Sequence, residues 1–496
     1  MEEIPKKNRQ AFKQLTGMLI LTIGTQLILV LKSSRIAAIF GIGVEMDAYN
    51  FVNSIATFIF SFIGAGVGTV LIPYMAKWKK TSNAQNGFLT ILYGCALLAL
   101  CLFWFFRHPF LTLFGGHSGE FVDVASKLMA IILFSQLVTS SNNISTSFLQ
   151  CQNCFILPKF LALLVTLIGT LAVYLVNSIS IYQYVVLTLV LILTEMVVQY
   201  IVAIRKGFRY SPCIPRKDPE MRNMFRTFLP TVFGAGIYQL TLMTDSLISS
   251  TLGTGNISML SYAGTISGMI NTVVASNIMT YIYPKIAAEI NHKNSKKKLL
   301  QYMVLFATLM CAVVVLFVAA GYDAVRILFE RGKFQTEATN GVFVCVLVYL
   351  LGAPVNIMRD VVYRYFYAKG NTKSTFYNGL AASALNIVVS IILSRFMGLY
   401  GIVLGTTVTA VFSFICILLR MKKQYSFDGY FLFFVKELLK LIAATAFAVS
   451  SCVLAKELFV GLSSLTISLV ASVIGVGVFA IVLLISRTKA FQVELG

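Results

Sequence analysis

Charge is scarce in this chain. Asp, Glu, Lys and Arg make up 12% of its 496 residues, where a soluble domain carries about 25%. Histidine is scarcer, with three copies. No Ser/His/Asp set, H-E-x-x-H or nucleotide-binding glycine loop is present, so no enzyme active site is read from the sequence. The chain is expected to be no enzyme and to hold no cofactor. Nine Cys occur, and only Cys151 and Cys154 have C-x-x-C spacing. A zinc site needs a second ligand pair, so the cysteines read as small apolar fillers. Acid is scarcer than base: 19 Asp and Glu stand against 40 Lys and Arg, a net charge of +21. On a soluble protein that balance suggests nucleic acid, yet no arginine-aromatic patch or binding motif supports such a partner. Hydrophobic residues reach 58%, and mean hydropathy is +0.83. This is a polytopic membrane protein, and its positive charge marks cytoplasmic loops and faces anionic membrane lipids. A cleavable signal peptide is not expected: Met1–Gln14 is polar, and the first apolar run is too long for one.

Runs of about 20 apolar residues span a bilayer as helices. Fourteen are read, near 15–40, 47–73, 87–106, 122–150, 156–176, 182–204, 224–250, 259–284, 299–320, 339–367, 375–395, 400–419, 432–455 and 464–486. The expected fold is all-α, and an even number of spans puts both termini on one side. Basic residues choose the side. Lys6 to Lys13, Lys77 to Lys80, Arg205 to Lys217, Lys293 to Lys298 and Arg420 to Lys423 share one face. The opposite loops Gly41–Met46, Asn177–Ile181 and Gly253–Ser258 hold no Lys or Arg. Tyr322–Thr336 is the exception, with Arg326, Arg331 and Lys333. Both termini are therefore expected in the cytoplasm, and the chain is expected to be monomeric.

The longest polar interruption, Arg205–Arg226, carries Pro212, Pro215 and Pro219. It reads as a cytoplasmic linker at 206–223. Residues 1–205 form a first lobe of six spans, 224–421 a second lobe of six, and 422–496 the last two spans with a tail. The lobes repeat. Phe40-Gly41-Ile42-Gly43 is echoed by Leu252-Gly253-Thr254-Gly255, and Asp47-Ala48-Tyr49 by Leu260-Ser261-Tyr262. Leu71-Ile72-Pro73 is echoed by Tyr281-Ile282-Tyr283-Pro284, and each proline leads into a basic loop. Leu113-Phe114-Gly115 matches Leu328-Phe329-Glu330. The offset is 212 residues at Gly41 and Gly253 and 211 at the prolines. Six spans separate the copies, so both run the same way, as in parallel repeats that make two lobes.

A charge in a bilayer core costs about 2.5–3.5 kcal/mol on insertion scales, so those present select candidate sites. Lys32 and Arg35 share a face of the first span, with Gln26 about two turns below. Asp47 opens the second span. These groups read either as a wall for an anionic substrate or as side chains snorkelling to the interface. Asp245 sits in the seventh span between Thr244 and Ser246. With Asn386 and Ser390 of the eleventh span and Thr406 of the twelfth, it offers oxygens to a cation such as sodium, or to a proton. The other reading is an interhelical polar cluster. In the tenth span Asp360 and Arg364 stand at i and i+4 and can pair. Arg359 and Arg364 are read as part of that structural salt bridge or as a basic cytoplasmic entrance that captures a pyrophosphate. Glu195 in the sixth span has no partner evident in sequence. Gly64, Gly66 and Gly68, and Gly401 and Gly405, read as close-packing or bending points.

The residues that carry a family resemblance are Ile39-Phe40-Gly41-Ile42-Gly43 through Asp47-Ala48-Tyr49 and Leu71-Ile72-Pro73. In the second lobe they are Leu260-Ser261-Tyr262-Ala263 through Pro284, and Leu328-Phe329-Glu330-Arg331-Gly332-Lys333-Phe334. The most specific is Arg359-Asp360-Val361-Val362-Tyr363-Arg364-Tyr365-Phe366-Tyr367-Ala368, continued by Gly370-Asn371-Thr372-Lys373. Over essentially its whole length the chain resembles the MurJ/MviN family of the MOP flippase superfamily. The resemblance implies a flippase for lipid II, an undecaprenyl-pyrophosphate disaccharide-pentapeptide, in the bacterial cytoplasmic membrane. It implies an arginine-lined cavity, alternating access, and membrane potential or sodium as the drive. Lys32 falls where the family has an arginine, and Asp47 matches its acidic residue. Asp245, Asn386 and Thr406 resemble the sodium ligands of some members, and Ser390 stands where an acidic ligand occurs.

Two departures bear on the substrate. The family's second-span arginine has only apolar or small residues near its place, around Phe58–Ile63. Its eighth-span arginine is replaced by Gly264-Thr265. Either Arg35, Arg359 or Arg364 compensates, or the lipid-linked glycan is a capsule, exopolysaccharide or teichoic-type one. A cation-coupled drug exporter is the rival class, though such relatives stop at twelve spans. A membrane glycosyltransferase needs a large outer loop or catalytic carboxylates, and the sequence has neither.

Overall fold

In a computed structural model of the chain, residues 6–66, 70–71, 83–114, 119–152, 154–176, 178–213, 218–276, 295–426, 429–486 and 488 are described. The expectations on Gly68, Pro73 and Pro284, and on the basic residues Lys77 to Lys80 and Lys293, lie outside them. The described residues form helices and connecting turns, with no strand. In the first compact unit, Met1–Ser258, α1 spans Lys6–Phe40, α2 Val44–Gly66, α3 Asn83–Phe105, α4 Arg107–Phe114, α5 Gly119–Cys151, α6 Ile156–Leu175, α7 Ile181–Arg205 and α8 Pro219–Ser250. Helix α9, Asn256–Ile270, begins at the end of this unit and continues as a π-helical turn, Asn271–Ser276. The second unit, Met259–Gly496, holds α10 Ser295–Phe329, α11 Thr336–Ala368, α12 Thr372–Met397, α13 Leu399–Tyr425, α14 Tyr430–Leu458 and α15 Ser464–Ile485.

Among the described residues, each of the fourteen expected apolar runs is helical. The cause is general: lipid offers backbone groups no partners, so a spanning segment satisfies them internally. Twelve of the described helices are long and apolar enough to cross a membrane. The other two long ones are α2 and α8. Asn50 and Asn53 dilute the apolar run of α2, and Gln239 and Asp245 that of α8. Helix α4 was not expected. Eight residues are too few to span, so its apolar Phe110, Leu111, Leu113 and Phe114 read as loop.

Local chemistry sets the helix ends. Ser180 and Gln183 form a capping box at α7, with reciprocal bonds of 3.3 and 3.0 Å. Asp218 accepts from Glu220 N–H at 2.8 Å, and Pro219 occupies the first turn of α8. Asn371 caps α12 by accepting from Ser374 N–H at 3.3 Å.

Small residues set the packing in the first unit. Gly17 and Gly24 of α1 face Ile156 and Leu163 of α6. The seven-residue step on both helices makes the pair parallel, as two spans separated by an even number must be. Helix α2 lies against α5 and α8, and α7 against α5 and α6. In the second unit α10 packs on α11, α14 and α15, and α12 pairs with α13. A buried polar joint fixes α15 there. Asp323 of α10 accepts from Ser464 Oγ at 2.5 Å and from Ser468 Oγ, and Lys456 Nζ of α14 donates to the Val318 carbonyl at 2.8 Å.

Candidate functional site

The candidate residues divide between the two units. In the first, Lys32 and Arg35 lie on the face of α1 that meets α6 and α7. Lys32 Nζ stands 5.2 Å from the ring centroid of Tyr184, at the start of α7. The Arg35 guanidinium stands 5.6 Å from the Tyr174 ring, and its Nε donates to the Val173 carbonyl at 3.4 Å. Both cations are half-buried. A cation over an aromatic face gains about 0.5–2 kcal/mol without losing its charge. No carboxylate stands beside either of them among the described contacts. Neither tyrosine was named as a partner from the sequence. Tyr184 comes after Asn177–Ile181, a turn whose place near the end of α1 is a matter of helix packing.

Asp47 is fully buried, with 0% of its surface exposed. Its carboxylate accepts from Gly255 N–H at 2.5 Å, Ser258 N–H at 2.7 Å and Ser258 Oγ at 2.6 Å. The reason lies in the sequence of the second copy. Helix α9 begins after Gly255, which has no side chain to cap the exposed N–H groups of the first turn. Asp47 supplies that cap from α2, and the positive end of α9 favours its charge. The turn fits only without a Cβ: at Gly255, φ is +92°, and a Cβ would lie 2.9 Å from the Ile42 carbonyl oxygen. Asp47, read from the sequence as a substrate-wall or interfacial group, is held as a carboxylate latch between α2 and the first turn of α9.

Asp245 is buried in α8, 4% exposed. Its neighbours do not turn to it. Thr244 Oγ1 donates to the Leu240 carbonyl at 2.8 Å and Ser246 Oγ to the Leu242 carbonyl at 3.2 Å, bonds that keep each hydroxyl on its own helix.

The second unit holds the remaining candidates. Asn386 Nδ2 of α12 donates to Thr406 Oγ1 of α13 at 3.3 Å. Asn386 Oδ1 is buried and accepts no bond from the described protein groups. Ser390 lies one turn on, close against Gly405. The sequence therefore named a real interhelical pair. Asp245 belongs to the other unit.

The expected i, i+4 salt bridge in α11 is not the one formed. Asp360 pairs with its neighbour Arg359, at 3.1 Å from Nη2 and 3.3 Å from Nε. The Arg359 guanidinium also lies 5.6 Å from the Tyr363 ring. That ring draws Arg359 along the helix and across Asp360. Tyr363 is fixed in turn by Asn378, whose Nδ2 donates to its hydroxyl at 2.9 Å and to Ser413 Oγ at 2.8 Å. Arg364 is exposed on the same helix. At Thr265, where a cation was expected, the hydroxyl donates to the Ser261 carbonyl at 3.0 Å.

Membrane-length helices in two compact units, with half-buried cations and buried carboxylates among them, define a polytopic membrane protein. The fold is that of the MOP superfamily. An inward-facing MATE family multidrug resistance transporter of that superfamily aligns over 83% of this chain and 99% of its own, with a TM-score of 0.63 at 16% identity. A solved lipid II flippase MurJ, in an inward closed conformation, aligns over 95% of this chain and 98% of its own, with a TM-score of 0.78 at 20% identity.

The model of the lipid II flippase MurJ family matches residues 36–483, and the chain belongs to that family. Probable lipid II flippases of Synechocystis sp. and Borreliella burgdorferi are 23% and 22% identical to it. The first covers 89% of this chain and 87% of its own length, the second 75% of each.

Proposed function

We infer that the chain is a flippase carrying lipid II, a polyprenyl-pyrophosphate-linked oligosaccharide, from the cytoplasmic to the outer leaflet by alternating access. The observation that carries this reading is the family match across 36–483. The chemistry agrees with it. The polar headgroup has to cross a medium where an unpaired charge or polar group is costly, while its tail stays in lipid. Lys32 and Arg35 lie against aromatic faces rather than beside acids among the described contacts, an arrangement that leaves donors for a diphosphate. Arg359 and Arg364 extend the basic set in the other repeat. The protein lies in the bacterial cytoplasmic membrane with both termini in the cytoplasm, a reading supported by the basic loops.

Asp47 acts as a gate residue. Each charge-assisted hydrogen bond is worth about 1.5–3 kcal/mol, and the latch has three that must break together. It biases the protein toward the state in which the two hairpin turns are joined. Substrate entry or ion binding has to repay that bias before the other state is populated. Coupling to sodium, protons or membrane potential is assigned to Asp245 in the first unit and to Asn386 and Thr406 in the second.

A second reading keeps the mechanism and changes the glycan. The apolar residues at Phe58–Ile63 and the Gly264-Thr265 pair favour a capsule, exopolysaccharide or teichoic-type lipid. Complementation separates these. In cells depleted of their own lipid II flippase, the chain is expected to restore surface-exposed lipid II and growth. Failure of a correctly inserted chain would transfer the reading to another lipid-linked glycan. If Lys32→Ala, Arg35→Ala and Asp245→Ala all leave export unchanged, the assignment of these residues fails.

A further inference from the structure

A carboxyl group that the candidate site does not use sits in the middle of α7. Glu195 lies 14 residues after Ile181 and 10 before Arg205, about 21 and 15 Å from the two helix ends at 1.5 Å per residue. Its partners are neutral amides. Gln199 Nε2 donates to Glu195 Oε1 at 3.0 Å, and the Asn142 amide of α5 stands beside the same carboxyl. Gln199 is itself buried, 1% exposed. Its Oε1 accepts from Thr146 Oγ1 at 2.8 Å and Ser145 Oγ at 3.1 Å, which turns the amide N–H toward Glu195. Ser145 also stands 3.3 Å from Asn142 Oδ1.

Among the described residues no cation shares this cluster. Of the helices packed on α7, α5 carries Glu120, Asp123 and Lys127 near its start, with Asp123 and Lys127 paired to each other at 3.0 Å. Cys151 lies at the opposite end of α5. On α6 the charged residue is Lys159 in the first turn. On α2 the acids are Glu45 and the latched Asp47. The titratable tyrosines Tyr174 of α6, Tyr182 and Tyr184 of α7 and Tyr49 of α2 lie toward the far end of α7. None of these is a partner of Glu195 among the described contacts. One polar path leaves the site in the other direction: Tyr200 OH donates to the Ser141 carbonyl at 3.2 Å and meets Tyr93 OH at 3.1 Å. Tyr93 in turn packs on Tyr210, beyond the end of α7.

We propose that Glu195 is a proton-binding site of the first lobe, loaded and unloaded during the transport cycle. An ionised carboxylate at this depth has no counter-charge, whereas a carboxylic acid is neutral and its hydroxyl can donate to a neighbouring amide or hydroxyl oxygen. A metal cation is disfavoured there, because the oxygens it needs are already acceptors within the cluster and one amide N–H points inward. On unloading, the O–H bond at the carboxyl breaks, the proton passes to water, and the carboxylate stays with the Gln199 and Asn142 amides. On loading, a proton from water restores the acid. The site stands on this geometry alone. Its use as a driving force rests on the flippase reading above.

Infrared difference spectroscopy tests the site on the full chain in nanodiscs of phosphatidylethanolamine and phosphatidylglycerol. Raising the pH from neutral to strongly alkaline is expected to remove a protonated-carboxyl band in the wild type that Glu195→Gln lacks. The same band change in Glu195→Gln overturns the proposal. If Glu195→Gln does not fold, Glu195→Asp replaces it: a band that moves in frequency supports the assignment, and an unmoved band overturns it. Sodium that raises the unfolding temperature of the wild type but not of Glu195→Gln also overturns it, since the site would then bind a cation. In proteoliposomes, a pH gradient is expected to alter lipid II flipping at least threefold in the wild type and not in Glu195→Gln; an equal response in both overturns the use of the site as a driving force. A wild type that flips no lipid II defeats the flippase reading and leaves the spectroscopic result standing.

Discussion

The two hairpins that open the lobes have one frame and opposite chemistry. Each has a glycine with positive φ at its turn, +63° at Gly41 and +113° at Gly253. Lys32 stands nine residues before the first of these, and Asp245 eight before the second. At the glycine offset of 212, Lys32 falls at Thr244, so the two copies carry a cation and an anion at adjacent rather than equivalent positions. Asp47 in the first copy corresponds to Leu260 in the second. The first copy supplies the acceptor carboxylate, and the second supplies the donors Gly255 and Ser258. Duplication set the helices, and divergence then made the turns complementary instead of alike. A latch between two identical acidic turns would repel, whereas an acid and a bare helix N-terminus attract.

Making the copies alike is the most damaging way to break this comparison. Leu260 is buried, so Leu260→Asp places an uncompensated charge in the interior. It is expected to cost about 3–5 kcal/mol and to abolish the cooperative thermal unfolding transition of the purified protein. Asp47→Ala comes next. It strands three buried donors, each unmet group costing about 1–3 kcal/mol, and it should lower the unfolding temperature clearly. Gly255→Ala tests the turn itself. The positive φ and the nearby Ile42 carbonyl predict a loss of about 1–3 kcal/mol. Gly41→Ala, at its counterpart, is expected to lose about 1 kcal/mol from its backbone conformation alone. Ser258→Ala should be mildest, since both N–H bonds to Asp47 remain; about 1 kcal/mol is expected. A Ser258→Ala effect as large as that of Asp47→Ala would show that the hydroxyl, not the helix terminus, holds the carboxylate.

Much of the fold was legible because lipid enforces it. Apolar runs of span length become helices whatever their partners, and an even count of spans between copies fixes their direction. Helix α4 was not legible, since eight apolar residues have no distinctive length. The candidate charges were legible as rare residues, but their partners were not. Asp47 meets Gly255 across 208 residues of sequence; only the repeat placed those turns in register, and nothing in the pattern made one acceptor and the other donor. The i, i+4 rule for Asp360 and Arg364 gave proximity without rotamers, and the Tyr363 ring turned Arg359 to Asp360 instead. Glu195 was visible as an acid without a partner. Gln199 stands one turn on, and its amide is a donor only because Ser145 and Thr146 occupy its oxygen.

The most direct test of the account is surface-exposed lipid II in flippase-depleted cells expressing Asp47→Asn at the wild-type membrane level. The substitution keeps the side-chain shape and removes the charge that binds the α9 terminus. Loss of about 1.4 kcal/mol or more in the latched state is a population shift of about tenfold or more. The account predicts that wild-type chain restores surface lipid II and that Asp47→Asn restores a tenth of it or less. Restoration by Asp47→Asn equal to the wild type would contradict the latch as the gate of this transporter.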